Sequence, residues 1–353
     1  MRSVNSQRRI AVVSLYALNN YGNCLQRHAV HELIRRAGFE AVSLDARIIT
    51  RGYIKEEVYG FLAKLPFRAK EIERMRRFNS FNKSCEVVRV NIHEARSLSS
   101  EYFAFVVGSD QVWNPRIWNF NVEYNLLGFV DQGWKKIALA PSLGVSSLEE
   151  SDCEAFCSYL ADYVRLSVRE DEGAAVLEKL LGRTVEVLPD PTIALGFDYW
   201  KAISSYRYCL DKPYVVVYEL GEGSLCLAAA RKFADCRSLM IVELNNVSLP
   251  SYAAGPADFV GLIFGAEAVF TDSFHASVFS LIGHTPFAVK ARGGLTYAMS
   301  SRIATLGRMF DVSMDAIDQR FDWDHVDDVM ALQAIKIQRY IESELHRIEG
   351  SRG

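Results

Sequence analysis

Short apolar runs alternate with helix-patterned stretches along this chain, and the alternation runs through twice. This periodicity limits the fold more than any single residue does. A strand, a helix and a second strand in succession place the two strands parallel, with the helix across the face of their sheet. Arg9 to Leu15 reads as the first strand and Tyr16 to Asn23 as a polar turn. Cys24 to Ala37 reads as a helix with Leu25, Ala29, Leu33 and Ile34 on its apolar face, and Phe39 to Leu44 as the next strand. Further strands are predicted at Phe103 to Val107, Lys136 to Ala140, Tyr163 to Val168 and Val185 to Leu188. The series restarts past Phe197 to Lys212, with strands at Tyr214 to Tyr218, Leu239 to Glu243, Ala268 to Phe270 and Pro286 to Val289. Helices are predicted from Leu225 to Phe233, from Pro256, from Ser301 to Phe310 and from about His325 to Ile348. At 353 residues the chain is longer than one core usually sustains. We therefore expect an α/β protein of two Rossmann-like domains facing a cleft, at residues 1–200 and 211–320. Residues 321–353 should form a helix packing back across the body.

Composition excludes some classes. The formal net charge is −3, which gives no bulk electrostatic grip on nucleic acid. Seven cysteines, an odd number scattered through a long chain, suit a reducing, cytoplasmic setting better than a disulfide framework. Cys153 and Cys157 share a helix spacing but join no CxxC or HExxH pattern, so no metal site is expected. Arg8-Arg9 before an apolar run resembles a short signal segment only superficially, since no small-residue cleavage site follows, and a buried first strand fits better. No stretch is long and apolar enough to span a bilayer. Between Tyr53 and Lys83, basic residues interleave with Phe61, Phe67, Phe78 and Phe81. Peripheral contact with an anionic membrane or substrate is one reading of that stretch; a solvated helix face is the commoner one.

Chemistry concentrates where strands end. Val269 to Ser280 reads as a buried strand, a tight Thr271-Asp272-Ser273 turn and a helix starting near His275. Ligands of open α/β sheets collect at strand carboxyl ends, and unpaired N–H groups of a helix's first turn attract anions. A histidine there can move protons near neutral pH, whereas Asp272 or Ser273 as a plain helix cap is the alternative. Arg169, at the end of another strand, could clamp a carboxylate or phosphate, or pair with Glu170 or Asp171. Two polar loops also sit at strand ends: Asn19 to Asn23, and Gly108-Ser109-Asp110-Gln111-Val112-Trp113-Asn114-Pro115. Pro189-Asp190-Pro191-Thr192 reads as a turn.

Taken in order, several segments resemble the polysaccharide pyruvyl transferase family. They are Asn20 to Gln26, Gly108 to Asn114, Ser167-Val168-Arg169-Glu170, Asp190-Pro191-Thr192, Gly255 to Phe259, and Thr271-Asp272-Ser273-Phe274-His275 through Pro286-Phe287, followed by Ser301-Arg302-Ile303. Each piece is weak alone; the ordered combination, covering most of the chain, is fairly specific. The resemblance implies a GT-B-like fold with the acceptor on the N-terminal side and the donor on the C-terminal side. It implies transfer of the pyruvyl group of phosphoenolpyruvate to a sugar of a cell-surface polysaccharide or its precursor, lipid-linked or polymeric. A cyclic ketal would form, with no cofactor, in the cytoplasm or at the inner face of the membrane. Many members resemble Arg-Leu-His-Gly at the histidine motif; here it reads Ser273-Phe274-His275-Ala276. The histidine carries over and the arginine does not, so the donor's charge needs another partner. Arg169 matches best, with Lys290, Arg292 and Arg302 as candidates by position and Ser273 beside them.

On this reading His275 is the general acid or base, with Asp272 orienting it, and Asn20, Asn23, Ser109 and Asp110 touch the acceptor. Two other readings are compatible with the pattern: a GT-B-type glycosyltransferase using a nucleotide sugar, and a non-catalytic relative.

Overall fold

Strand β1 (Arg9–Val13) sends Ile10 and Val12 into one apolar cluster and Ala11 and Val13 into another. A strand covered on both faces belongs to a parallel sheet with helices on both sides. The computed structural model describes residues 8–15, 19–46, 68–117, 120–221, 223, 225–290 and 296–351. After β1 come α1 (Tyr21–Arg36), β2 (Glu40–Asp45), α2 (Arg68–Asn82), β3 (Glu86–Arg89), β4 (Ala104–Val107), α3 (Val122–Asn125) and β5 (Lys136–Ala138). The chain continues through α4 (Glu150–Leu160), β6 (Ser167–Val168), α5 (Asp171–Leu181), β7 (Glu186–Val187) and α6 (Gly196–Ile203). The second series is β8 (Tyr214–Tyr218), α7 (Leu225–Asp235), β9 (Met240–Glu243), α8 (Pro256–Phe264), β10 (Ala268–Thr271), α9 (Phe274–Ile282) and β11 (Phe287–Val289). Helices α10 (Thr296–Phe310) and α11 (Trp323–Gly350) close the chain.

The first sheet has the order β3-β2-β1-β4-β5 and the second β11-β10-β8-β9, and every pair within them is parallel. Both are Rossmann-like, as the alternation predicts. Each winds outward from one central strand and then switches sides, between β1 and β4 in the first sheet and between β8 and β10 in the second. Strands β6 and β7 form a separate parallel pair. The facing sides of the two sheets share one apolar cluster, with Ile10, Val12 and Val106 on one side and Tyr214, Val216 and Val269 on the other. Helices α1, α8, α9 and α11 fill the space between them through Leu25, Phe259, Phe279 and Ile337.

Several boundaries move from the expected ones for local reasons. Helix α1 begins at Tyr21, inside the expected turn, because the Asn20 side chain accepts from the Asn23 N–H and closes the first turn early. The expected strand Tyr163 to Val168 pairs only over Ser167–Val168. Helix α2 keeps a solvated face, on which Arg76 lies, but buries the opposite stripe: Arg74 sits over the rings of Tyr21, Phe78 and Tyr252 and donates to the Tyr252 carbonyl at 2.8 Å. Glu71 accepts from Tyr252 Oη at 2.5 Å, and Arg77 pairs with Asp258 at 3.3 Å. A helix of the first series is thereby tied to the second. Phe61 and Phe67 lie outside the described residues.

Candidate active site

The two switch points converge on one polar cluster. From the first sheet, the start of α1 follows β1, while Ser109 and Asp110 follow β4. Arg169 and Asp190 follow β6 and β7, and from the second sheet His275 sits in the first turn of α9, after β10. All of these side chains are buried.

Arg169 is the hub. Its Nη1 donates to Asp190 Oδ2 at 2.7 Å and its Nη2 to Asp110 Oδ1 at 3.0 Å, while the guanidinium lies 4.3 Å from the centre of the Phe274 ring. Neither neighbouring acid in sequence pairs with it. Glu170 turns the other way, accepting from the N–H groups of Leu143 and Gly144 at 2.8 and 3.1 Å and from Ser142 Oγ at 3.0 Å. Burial disfavours the Arg169 cation, but Asp110 and then Asp190 outweigh it and raise its pKa further. Asp110, at φ 68°, also accepts from the Asn23 side chain, and Arg302 Nη1 lies 3.7 Å away. Desolvation opposes ionisation of Asp110; Arg169, His275 and Arg302 together overcome it and hold the carboxyl below its ordinary value.

Asp190 is fixed at both oxygens. Oδ1 accepts from the Thr192 N–H at 3.1 Å and the Thr192 hydroxyl at 2.7 Å. Oδ2 takes Arg169, lies 3.3 Å from Ser109 Oγ and lies 3.4 Å from His275 Nε2. Burial again raises the pKa, while His275 and Arg169 drive it well below the carboxylate range. The 3.4 Å contact is close enough for charge interaction but is not aligned as a hydrogen bond, and among the described residues His275 Nε2 is a buried nitrogen without a hydrogen-bond partner. The opposite face of the ring packs on α1: a Cβ added to Gly22 would lie 2.1 Å from His275 Nδ1. Glycine at residue 22 is what lets the first turn of α1 approach the imidazole.

The other expected residues are distributed differently. Ser273 is the N-cap of α9, with Oγ 3.4 Å from the Ala276 N–H. Asp272 does not meet His275 in these contacts: its carboxylate accepts from the N–H groups of Leu220 and Gly221 at 2.8 and 2.7 Å, fixing the loop after β8. The acid next to His275 is instead Asp190, which the sequence offered as part of a turn and of a family-like segment but not as a site residue. Its two signals were its place after a strand and the Asp-Pro-Thr segment. Lys290 points its ammonium at the Asp315 carbonyl, 3.0 Å away. Arg292 lies outside the described residues. Asn20 caps α1. Ser109 is wholly buried, its N–H donating to Gln26 Oε1 at 2.9 Å and its hydroxyl to the Ala140 carbonyl at 2.9 Å. No group of acids, histidines and cysteines able to hold a metal occurs among the described residues. No helix among them is long and apolar enough to cross a membrane.

Residues 20–293 match the family model of polysaccharide pyruvyl transferase. Nothing among curated proteins matches the chain. Two solved structures align over nearly its whole length at 10% identity. One is described as a UDP-N-acetylglucosamine 2-epimerase from Listeria monocytogenes, with a TM-score of 0.44, covering 95% of this chain and 91% of that one. The other is a UGT transferase from Siraitia grosvenorii in complex with UDP, with a TM-score of 0.35, covering 96% and 94%.

Proposed function

The chain belongs to the polysaccharide pyruvyl transferase family, and from that premise we propose that it moves the pyruvyl group of phosphoenolpyruvate onto a sugar of a cell-surface polysaccharide or its precursor. One observation carries the reading: His275 sits where two helix N-termini meet, 3.4 Å from Asp190, in a cluster whose acids Asp190 and Asp110 also hold Arg169 and, at 3.7 Å, Arg302. First-turn N–H groups and guanidinium groups are the donors a phosphorylated carboxylic acid requires.

In this mechanism His275 delivers a proton to the methylene carbon of phosphoenolpyruvate. The double-bond electron pair becomes the new C–H bond and leaves the adjacent carbon electrophilic. A sugar hydroxyl oxygen adds there and gives up its proton to the imidazole. Phosphate departs with the C–O electron pair, stabilised by Arg169, Arg302 and the start of α9, and a second hydroxyl adds to the same carbon and passes its proton to the departing phosphate, closing the ketal. Arg169 and Arg302 take over the charge that the motif arginine holds in other members. Ser273, which occupies that arginine's place, shapes the helix start. Lys290 and Arg292 remain donor-side candidates at the end of β11. Asn23, Asp110 and Ser109 act by holding the cluster together, and Asn20 by capping α1. Two Rossmann-like units meeting at this cluster support a donor side at 211–320, an acceptor side at 1–200 and a bracing helix at 321–353. An acceptor at the inner membrane face is compatible with this arrangement.

The test is phosphate release from phosphoenolpyruvate with an acceptor glycan. His275→Ala is expected to lower turnover by roughly 10²–10⁴ while the fold survives. Near-normal turnover would remove His275 from the chemistry. Thermal stabilisation by phosphoenolpyruvate, and none by nucleotide sugars, is the matching binding result.

A further inference from the structure

We infer that the open cleft between α2 and α8 is a binding site for a negatively charged sugar unit, one that carries a carboxylate or a phosphate. This deepens the reading above: it rests on that reading for calling the ligand part of the acceptor glycan, though not for the binding itself.

The cleft holds about 470 Å³, within the range of about 300–1,000 Å³ usual for small-molecule sites, and none of the His275 cluster lines it. Its walls come from both halves of the chain: Arg76, Arg77, Ser80 and Phe81 belong to α2, Arg207 to the segment between α6 and β8, and Asp258 to the start of α8. The acids of the cleft are already committed. Glu73 accepts from Arg77 Nη2 at 2.6 Å. Asp258 accepts from Ser205 Oγ at 2.6 Å, from the Gly255 N–H at 2.9 Å and from Arg77 Nη1 at 3.3 Å. Both carboxylates are thus spent on a single guanidinium. Arg76 reaches Glu73 only at 4.0 Å, with its side chain 77% exposed. Arg207 is exposed, and no acid pairs with it among the described residues. Two cations on different walls of one cleft are therefore left for an anion from outside. Their planar forks match the oxygens of a carboxylate or a phosphate. Ser80 and Phe81 add a hydroxyl and an apolar ring, which suit the hydroxyl groups and the C–H face of a pyranose. The start of α8 adds little as an anion site, since Asp258 already turns back on the Gly255 N–H. The cleft also adjoins the reaction cluster. Ala254, the residue before Gly255, accepts from Tyr21 Oη at 2.9 Å, and Tyr21 precedes the Gly22 that packs on His275. Tyr21 and Arg74 form the layer between them, and an acceptor of several sugar units can extend past it. A flat bilayer does not enter a cleft, so the arginines of α2 suit a sugar anion better than a membrane.

Arg76→Glu combined with Arg207→Glu reverses both exposed charges and leaves Arg77 and Asp258 in place. Binding is measured by calorimetry on the full chain without phosphoenolpyruvate. The probes are tetragalacturonate for a carboxylate source, glucose-6-phosphate for a phosphate source and maltotetraose as the neutral sugar. At least one anionic sugar is expected to bind, more weakly as salt rises, and maltotetraose is expected not to bind. The double variant is expected to lose that affinity by about tenfold or more. A control, Arg231→Glu combined with Lys232→Glu on the exposed face of α7, makes the same change in net charge elsewhere and is expected to keep it. Failure of both anionic sugars to bind, equal binding of maltotetraose, full affinity in the double variant or an equal loss in the control each overturns the inference. Capture by phosphatidylglycerol vesicles that the double variant loses, with neither anionic sugar bound, also overturns it and makes this face a membrane contact. With phosphoenolpyruvate and an acidic acceptor, the double variant is expected to raise the acceptor KM more than it lowers kcat. Anionic sugar that binds through Arg76 and Arg207 in a protein that never releases phosphate from phosphoenolpyruvate upholds the site and overturns the proposed reaction instead.

Discussion

The two sides of the polar cluster are built on opposite plans. The side contributed by the first sheet is a network of paired charges in which Asn23, Asp110, Arg169, Asp190, Ser109 and Thr192 bond one another, although Arg169 Nε is buried without a hydrogen-bond partner. The second sheet contributes a histidine on a helix start, with one nitrogen against Gly22 and the other without a partner. Low-dielectric surroundings make a satisfied polar network rigid and an unsatisfied group costly. The difference therefore separates a set of charges already paired with one another from the proposed proton carrier. One side pairs its charges with one another, and the other brings up an imidazole whose Nε2 lies 3.4 Å from Asp190.

Four substitutions test that contrast. Arg169→Met should have the largest effect on the fold, because it leaves Asp110 and Asp190 buried and facing each other without their shared cation. Breaking a buried pair in this way costs about 3–5 kcal/mol, measurable by urea denaturation. A loss as small as that of an exposed ion pair would mean the first-sheet network is not the rigid side. Gly22→Ala comes next. The added methyl meets the His275 ring, and overpacking of this kind costs about 1–3 kcal/mol. If the second-sheet side is the adjustable one, the ring should yield, so turnover should fall further than stability does. Equal turnover in the variant would show that the α1–His275 contact positions nothing. The smallest effects belong to the helix caps. Asn20→Ala and Ser273→Ala should each cost about 1 kcal/mol by thermal unfolding. The shorter Asn20 bond, 3.1 Å against 3.4 Å for Ser273, predicts the larger loss at α1.

Much of the fold was legible. Tyr214–Tyr218 is a strand as its unbroken apolar run indicates, and α9 starts one residue before His275 behind a serine cap. Short elements were less so. The β6 and β7 pairing covers two residues each, too few for periodicity to delimit. The α1 boundary depended on which asparagine in a run of polar residues would turn its side chain back. In the candidate site, Arg169, His275 and Asp110 were singled out from strand ends and residue type. Asp190 was not, since Pro189-Asp190-Pro191-Thr192 satisfies every requirement of a turn without any distant partner. Asp272 was expected beside the histidine because it is near in sequence. Residues at the end of a strand alternate in direction, and its carboxylate found two N–H groups on the neighbouring loop.

What the sequence alone determined is therefore what short-range physics can settle: where apolar residues recur at strand or helix period, where chains must turn, and that two parallel sheets follow from the order of these pieces. Which charges meet was decided by the tertiary structure. A buried charge needs a partner wherever packing supplies one, and Asp110 finds Asn23 and Arg169 at separations of 87 and 59 residues. Desolvation makes those pairings obligatory once the sheets close together, and no local pattern encodes them.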